Sequence, residues 1–255
     1  SYTPGELSDL ADVARKHGLL VISDEIYALV SFAREHVSIS RYYPEGTIVT
    51  TGLSKHLSLG GFRLGIALLP RNLDHILGTL RSIASETFSS VSSPIQYAVL
   101  AAFEESEEIE EYIGRCTEIH ETVTKYVWRR VRECGVDYPK PAGAFYLYPD
   151  FSHFRGKLAD RDISTSEELA ARLLADASVA TLPGTAFGDL PENLRLRLST
   201  VDYDGAHALE VYESYADRAT ADPAGWTETR TDDFVETACP NVAEACRRLR
   251  HFFSF

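Results

Sequence analysis

The sequence predicts an α/β protein, with a partial parallel sheet in the first part of the chain and a smaller α+β region after it. Three observations predict it. Short apolar runs alternate with helical patterns early in the chain, polar residues begin where each run stops, and a long helical pattern separates this region from a remainder of different character.

The elements follow in order. Thr3-Pro4-Gly5-Glu6 has the form of a capping box with Pro at the first helical position. Leu7, Leu10, Ala11 and Ala14 then recur at helical spacing until His17-Gly18 ends the helix. Leu19-Leu20-Val21-Ile22 is expected to be a strand buried on both faces, and it runs into Ser23-Asp24-Glu25-Ile26-Tyr27. Thr47-Ile48-Val49-Thr50 is the second strand and runs into Thr51-Gly52-Leu53-Ser54-Lys55. Arg63 to Leu69 is the third, stopped by Pro70. Ligands of open parallel sheets lie beyond the carboxyl ends of the strands, where Asp24 and Lys55 both fall.

Helices are expected at about 72–84 and 94–103, with Ser93-Pro94-Ile95-Gln96 capping the second as Thr3 to Glu6 caps the first. The long pattern spans about Glu107 to Glu133, with an apolar stripe of Ile109, Tyr112, Ile113, Cys116, Ile119, Val123, Tyr126 and Val127. A helix of that length can bridge two domains, so the boundary is placed inside it, dividing 1–115 from 116–255. Beyond it, Ala144–Tyr148, Val179–Leu182 and Leu194–Ser199 are expected strands, while Ser166–Ala175, about 204–217 and Asn241–Phe252 are expected helices. Residues 218–233, polar and containing Pro223 and Gly225, are expected to form a surface loop.

Composition bounds the function. The chain has 255 residues, of which 44% are hydrophobic, enough to bury a sizeable core. A net charge of −13 argues against a general nucleic-acid surface, which needs clustered Lys and Arg. No apolar run approaches the roughly 18 residues of a membrane span, and Ser1–Leu10 lacks the basic start and apolar stretch of a signal peptide. The expected location is cytoplasmic. Cys116, Cys134, Cys239 and Cys246 form no C-x-x-C pair and no zinc pattern with histidines, so reduced thiols and no metal are expected. The chain has no methionine and opens at a helix cap; it is expected to be a portion of a longer product.

Taken singly, the polar residues at the strand ends have ordinary readings. Lys55 can be a solvated charge, Asp24 a turn or cap residue, Tyr27 a core residue with a satisfied hydroxyl, Ser54 a turn residue, and Arg63 the partner of an acidic neighbour. Their combination is more specific. Ser23-Asp24-Glu25-Ile26-Tyr27, and Ser54-Lys55 with Gly61-x-Arg63-x-Gly65, resemble the signature of class I/II, fold-type-I aminotransferases, which depend on pyridoxal 5'-phosphate (PLP). Arg197-Leu198-Ser199, after Pro183-Gly184-x-x-Phe187-Gly188, is similar to that family's carboxylate-binding strand. Pro141-x-Gly143-Ala144-Phe145-Tyr146 resembles its small-domain strand near the substrate entrance. The likeness covers nearly the whole chain and is loose over 205–235. The Gly60-Gly61 pair is no nucleotide loop, because no G-x-G-x-x-G leads from a strand into a helix.

The resemblance implies a PLP-dependent transferase fold, with 1–115 the later part of the large cofactor-binding domain and 116–255 the small domain. It implies that Lys55 is the Schiff-base lysine and proton carrier, that Asp24 pairs with the pyridinium nitrogen and that Tyr27 bonds the cofactor's 3'-oxygen. Ser54 and Arg63 would bind the phosphate, and Arg197 the substrate α-carboxylate. Arg195 competes with Arg197, since residues two apart on a strand share a face; the Arg-Leu-Ser match favours Arg197. Two departures stand out. Gly52 occupies a position where the family commonly has a phosphate-touching serine. The family's asparagine for the 3'-oxygen, its ring-stacking aromatic and its phosphate loop precede the segment that Ser1 begins, so residues 1–255 alone are expected to hold PLP poorly. The implied activity is transfer of an amino group between an amino acid and a 2-oxo acid by a homodimer. Alternatives on the same frame are a C–S lyase, a decarboxylase, or a catalytically silent binding module.

Overall fold

A computed structural model describes residues 2–32, 36–221 and 227–254. The chain divides into two compact units, Ser1–Thr117 and Glu118–Phe255.

The first unit opens with helix α1 (Pro4–Lys16), whose capping box forms as expected: the Glu6 amide donates to Thr3 Oγ1 at 3.3 Å and the Thr3 amide to Glu6 Oε2 at 2.7 Å. Leu7, Ala11 and Ala14 are its buried face and pack with Ile39, Tyr43 and Val21; Leu10 lies off that face and is exposed. Strand β1 (Val21–Asp24) pairs in parallel with β2 (Thr47–Gly52), and β3 (Gly65–Leu68) runs antiparallel to β2, giving the order β1-β2-β3. The sheet is therefore mixed, where the sequence suggested a parallel one. The cause is the connection. Residues 53–64 hold one 3-10 turn (Gly60–Phe62) and no crossover helix, and without a crossover the chain returns antiparallel.

The expected burial of β1 on both faces is also corrected. Its alternating residues divide between a face packed on α1 and an open one, leaving Leu19, Leu20 and Ile22 at 52%, 46% and 68% exposure. An apolar run sets the strand, and the neighbours available decide whether both faces are covered. Tyr43 tightens this unit: its hydroxyl donates to the Leu19 carbonyl at 3.0 Å, and its ring lies where a Cβ on Gly46 would overlap it. Helices α2 (Asp74–Thr87) and α3 (Ser93–Ala101) follow. The expected cap at Ser93 does not form: Ser92 is the N-cap and makes no side-chain bond, and Gln96 Nε2 donates to the Val91 carbonyl at 2.7 Å.

Helix α4 (Glu107–Glu133) has the predicted bounds. In the second unit it buries Ile119, Val123, Tyr126, Val127 and Val131. Strand β4 (Tyr146–Leu147), the short helix α5 (Arg155–Ala159), α6 (Ser166–Ala177), β5 (Leu182–Pro183) and β6 (Leu196–Ser199) follow, with β6 between the other two strands and antiparallel to both. The strands are shorter than expected, because Arg195 joins only by an isolated bridge to Asp150, and Val179 to Thr181 make no ladder. Helices α7 (Gly205–Ala221), α8 (Glu228–Ala238) and α9 (Pro240–Phe252) complete the unit. The loop expected over 218–233 is thus helical at both ends, while Pro223 and Gly225 lie outside the described residues. Thr227 caps α8, whose Phe234, Val235 and Ala238 enter the core. All four cysteines are free thiols.

His120, on α4, lies 5.0 Å from the Phe145 ring (centroid to centroid) with its Nδ1 2.9 Å from the Tyr203 hydroxyl, and burial pushes its pKa down to about 4. The unfolded chain takes up this proton near pH 6.5, and the folded chain only near pH 4, so stability falls as pH drops through that window. The expected contribution to the loss is on the order of 1–3 kcal/mol. Urea unfolding of the protein and of His120→Gln between pH 7 and pH 4 measures it: the variant should show the shallower dependence on pH, and equal slopes would refute the assignment.

Candidate active site

The parallel pairing of β1 and β2 brings their carboxyl ends to one edge, with Asp24 opposite Thr50. Beyond β1 the chain turns at once. The Glu25 amide donates to the Thr50 carbonyl at 2.8 Å, and the exposed Asp24 accepts from the Ile26 amide through Oδ1 at 3.3 Å. This turn presents Tyr27. Beyond β2 the chain runs through Leu53 and Ser54 to Lys55, and Lys55 Nζ lies 5.4 Å from the centre of the Tyr27 ring. The two strand ends thus meet through this amine and this phenol.

Arg63 reaches the same edge by a different route from the one expected. It is no strand residue: it occupies a left-handed turn (φ 53°) ahead of β3, whose first residue Gly65 pairs with Gly52. Its Nη1 donates to the Gly60 carbonyl at 2.7 Å. Ser54 borders this turn, since a Cβ on Gly60 would sit 3.9 Å from Ser54 Cβ, whereas a Cβ on Gly61 would meet nothing within 4 Å. A hydroxyl and a guanidinium therefore flank an open glycine turn, an arrangement suited to an anion.

Gly52 has a steric cause. A Cβ there would fall 2.8 Å from the Leu64 carbonyl oxygen, so any side chain would push β2 and β3 apart.

Sequence reasoning missed the groups that brace these turns. Glu25, with its side chain 11% exposed, accepts from the Ser23 and Ser38 hydroxyls at 2.9 and 2.5 Å and pairs with His36 at 2.9 Å. Farther along, the Tyr112 hydroxyl donates to Ser58 Oγ at 3.2 Å and Thr117 Oγ1 to the Leu29 carbonyl at 3.1 Å, so one end of α4 ties down both turns. These partners lie far apart in sequence and leave no signature in local spacing.

The second unit gives the two competing arginines different surroundings. Arg195 Nε lies 3.1 Å from Asp150 and its Nη1 3.3 Å from Asp189, and these bonds raise its pKa further. Asp189 is held below the usual carboxylate range by the Asn193 amide, with Arg195 adding to the effect. Arg195 thereby has two carboxylate partners in its own unit. Among the described residues no carboxylate pairs with Arg197, which instead lies against two rings, its guanidinium carbon 4.5 Å from the Tyr146 centre and 4.7 Å from that of Phe187.

Comparison with known proteins identifies the family. A model of the family "Aminotransferase class I and II" matches residues 1–209. The chain belongs to the class I and II aminotransferase family. It is 36% identical over 203 residues to an aspartate aminotransferase of Geobacillus stearothermophilus, covering 78% of this chain and 49% of the relative. A protein of Bacillus subtilis described as a probable N-acetyl-LL-diaminopimelate aminotransferase is 34% identical over 195 residues, covering 76% and 46%. An aromatic aminotransferase of Pyrococcus horikoshii superposes with a TM-score of 0.70 at 25% identity, covering 98% of this chain and 55% of that one. The chain spans about half the length of the curated relatives it matches. The fold is that of the fold-type-I PLP-dependent aminotransferases.

The donors present in this aminotransferase-family chain fit PLP: an amine over a phenol ring, a carboxylate at the end of the neighbouring parallel strand, and a hydroxyl with a guanidinium at an open turn. Among these positions Gly52 makes a sharp case. Gly52→Ser is expected to lower stability by about 1–3 kcal/mol through overpacking without tightening PLP binding. Urea midpoints and a PLP titration test this, and undiminished stability together with tighter binding would contradict it.

Proposed function

We propose that the protein is a PLP-dependent aminotransferase, moving an amino group between an amino acid and a 2-oxo acid, with Lys55 bonded to the cofactor. The observation that carries this reading is the approach of Lys55 Nζ to the Tyr27 ring at the edge where β1 delivers Asp24. The family match over residues 1–209 supports it.

When bound, PLP supplies an aldehyde that condenses with amines and a ring that draws electrons from the substrate Cα. The chain's own residues have the remaining roles. Lys55 would hold the cofactor through its Nζ and, when that amine is not so engaged, would serve as the base for the substrate Cα proton. Asp24 keeps the pyridine nitrogen protonated, because a nearby carboxylate favours the charged form. Tyr27 donates its hydroxyl hydrogen bond to the 3'-oxygen. Ser54 and Arg63 hold the phosphate, and Arg197 grips the substrate α-carboxylate through the fork of its guanidinium. In this reading the first unit belongs to the cofactor-binding domain and the second is the small domain, and the working assembly is a homodimer.

Incubation of the protein with PLP, borohydride reduction and peptide mapping test the reading. The peptide containing Lys55 is expected to carry the phosphopyridoxyl group, and Lys55→Ala to abolish both that adduct and amino transfer. Labelling confined to other lysines would overturn it. Release of pyruvate from an amino acid without any 2-oxo acceptor would favour a C–S lyase instead.

A further inference from the structure

The geometry points to an aromatic clamp in the second unit: Tyr146 and Phe187 are positioning residues that fix the Arg197 guanidinium and leave its N–H edge free for a carboxylate. This inference rests on the proposed role of Arg197.

The clamp is built by the sheet. Tyr146 pairs with Ser199 across β4 and β6, so it is the diagonal neighbour of Arg197, within reach of a long side chain on the same face. Phe187 closes the 3-10 turn Gly184–Phe187 that follows β5, and Leu182 of β5 pairs with Arg197 itself. The turn is held where it is by close contact, since a Cβ on Gly184 would lie 2.9 Å from the Tyr148 hydroxyl and 3.2 Å from the Arg195 carbonyl oxygen. The two rings arrive from opposite neighbours of β6, and the guanidinium carbon lies 4.5 and 4.7 Å from their centres.

The contrast with Arg195 shows what this arrangement does. An arginine needs its charge stabilised, and in a chain of 38 acidic and 25 basic residues the ready solution is a carboxylate. Arg195 takes it, giving its Nε and Nη1 donors to Asp150 and Asp189. A carboxylate partner on Arg197 would likewise occupy the donors that a ligand's carboxylate must take. Ring faces avoid the competition. They attract the cation through their negative quadrupole while its N–H donors, which lie in the guanidinium plane, stay available. The rings also limit rotation of a long side chain, so less entropy is lost when the carboxylate binds. Phe187 remains 47% exposed, so this face of the site is open to a ligand.

The test measures binding of succinate, a carboxylate that cannot be transaminated, by NMR titration of the protein. Arg197→Ala should abolish binding. Tyr146→Leu and Phe187→Leu should each weaken it roughly two- to five-fold, while Tyr146→Phe and Phe187→Tyr, which keep the rings, should retain it. In the unsubstituted protein, ring currents should shift the Arg197 Hε resonance upfield of the value for an arginine away from rings, a readout that survives even if the leucine variants fail to fold. Loss of binding in Arg197→Ala with full binding in both leucine variants would overturn the clamp alone. Unchanged binding in Arg197→Ala would overturn the carboxylate role of Arg197 and the clamp with it. An Arg197 Hε without the upfield shift would also overturn the clamp.

Discussion

The first unit depends on one pairing. β1 and β2 run parallel with Asp24 level with Thr50, so two segments far apart in sequence finish at the same edge. Everything at the candidate site hangs from those two ends. The turn after β1 holds Tyr27, the turn after β2 holds Ser54 and Lys55, and β3 adds Arg63 because Gly65 begins opposite Gly52. A slip of one residue between β1 and β2 would invert the faces of β1 and move Asp24 away from its turn. The missing Cβ at Gly52 lets β3 come close enough to join, and the bonds of Glu25 to Ser23 and Ser38 brace the first turn.

In the second unit the organising problem is where positive charge rests. Arg195 just precedes β6 and Arg197 lies on it, yet one pairs with Asp150 and Asp189 and the other lies among rings. That division leaves Arg197, among the described residues, without a carboxylate partner, which is the ground for proposing it as a carboxylate site. It also shows why charge alone is a poor guide to such sites: the neighbours, not the arginine, decide whether its donors are available.

Sequence legibility followed the range of the interactions. α1 and α4 were readable because a cap and an apolar stripe are local properties. The direction of β3 was not, because it depends on what the connection before it lacks. The exposure of Ile22 was not either, since an apolar run says nothing about its cover. Helix α8 was hidden in a polar stretch whose apolar residues are few, although Thr227 was a usable cap. At the site, Asp24, Tyr27, Ser54, Lys55 and Arg63 were nominated from a compact motif, and the structure gathers them at one edge. The preference for Arg197 over Arg195 rested on a three-residue match; the pairing of Arg195 with Asp150 and Asp189, which lie outside that motif, could not be read from it. The bracing bonds of Tyr112 and Thr117 had no signal at all in the chain order.

The central claim is that the carboxylate from β1 and the amine beyond β2 serve a single cofactor ring. Nitrogen NMR of the borohydride-trapped adduct, made with PLP labelled at the pyridine nitrogen, tests it without depending on how tightly PLP binds. The account predicts a protonated ring nitrogen near neutral pH and loss of that proton in Asp24→Ala. A nitrogen resonance that is the same in both proteins would mean that Asp24 does not act on the ring carried by Lys55.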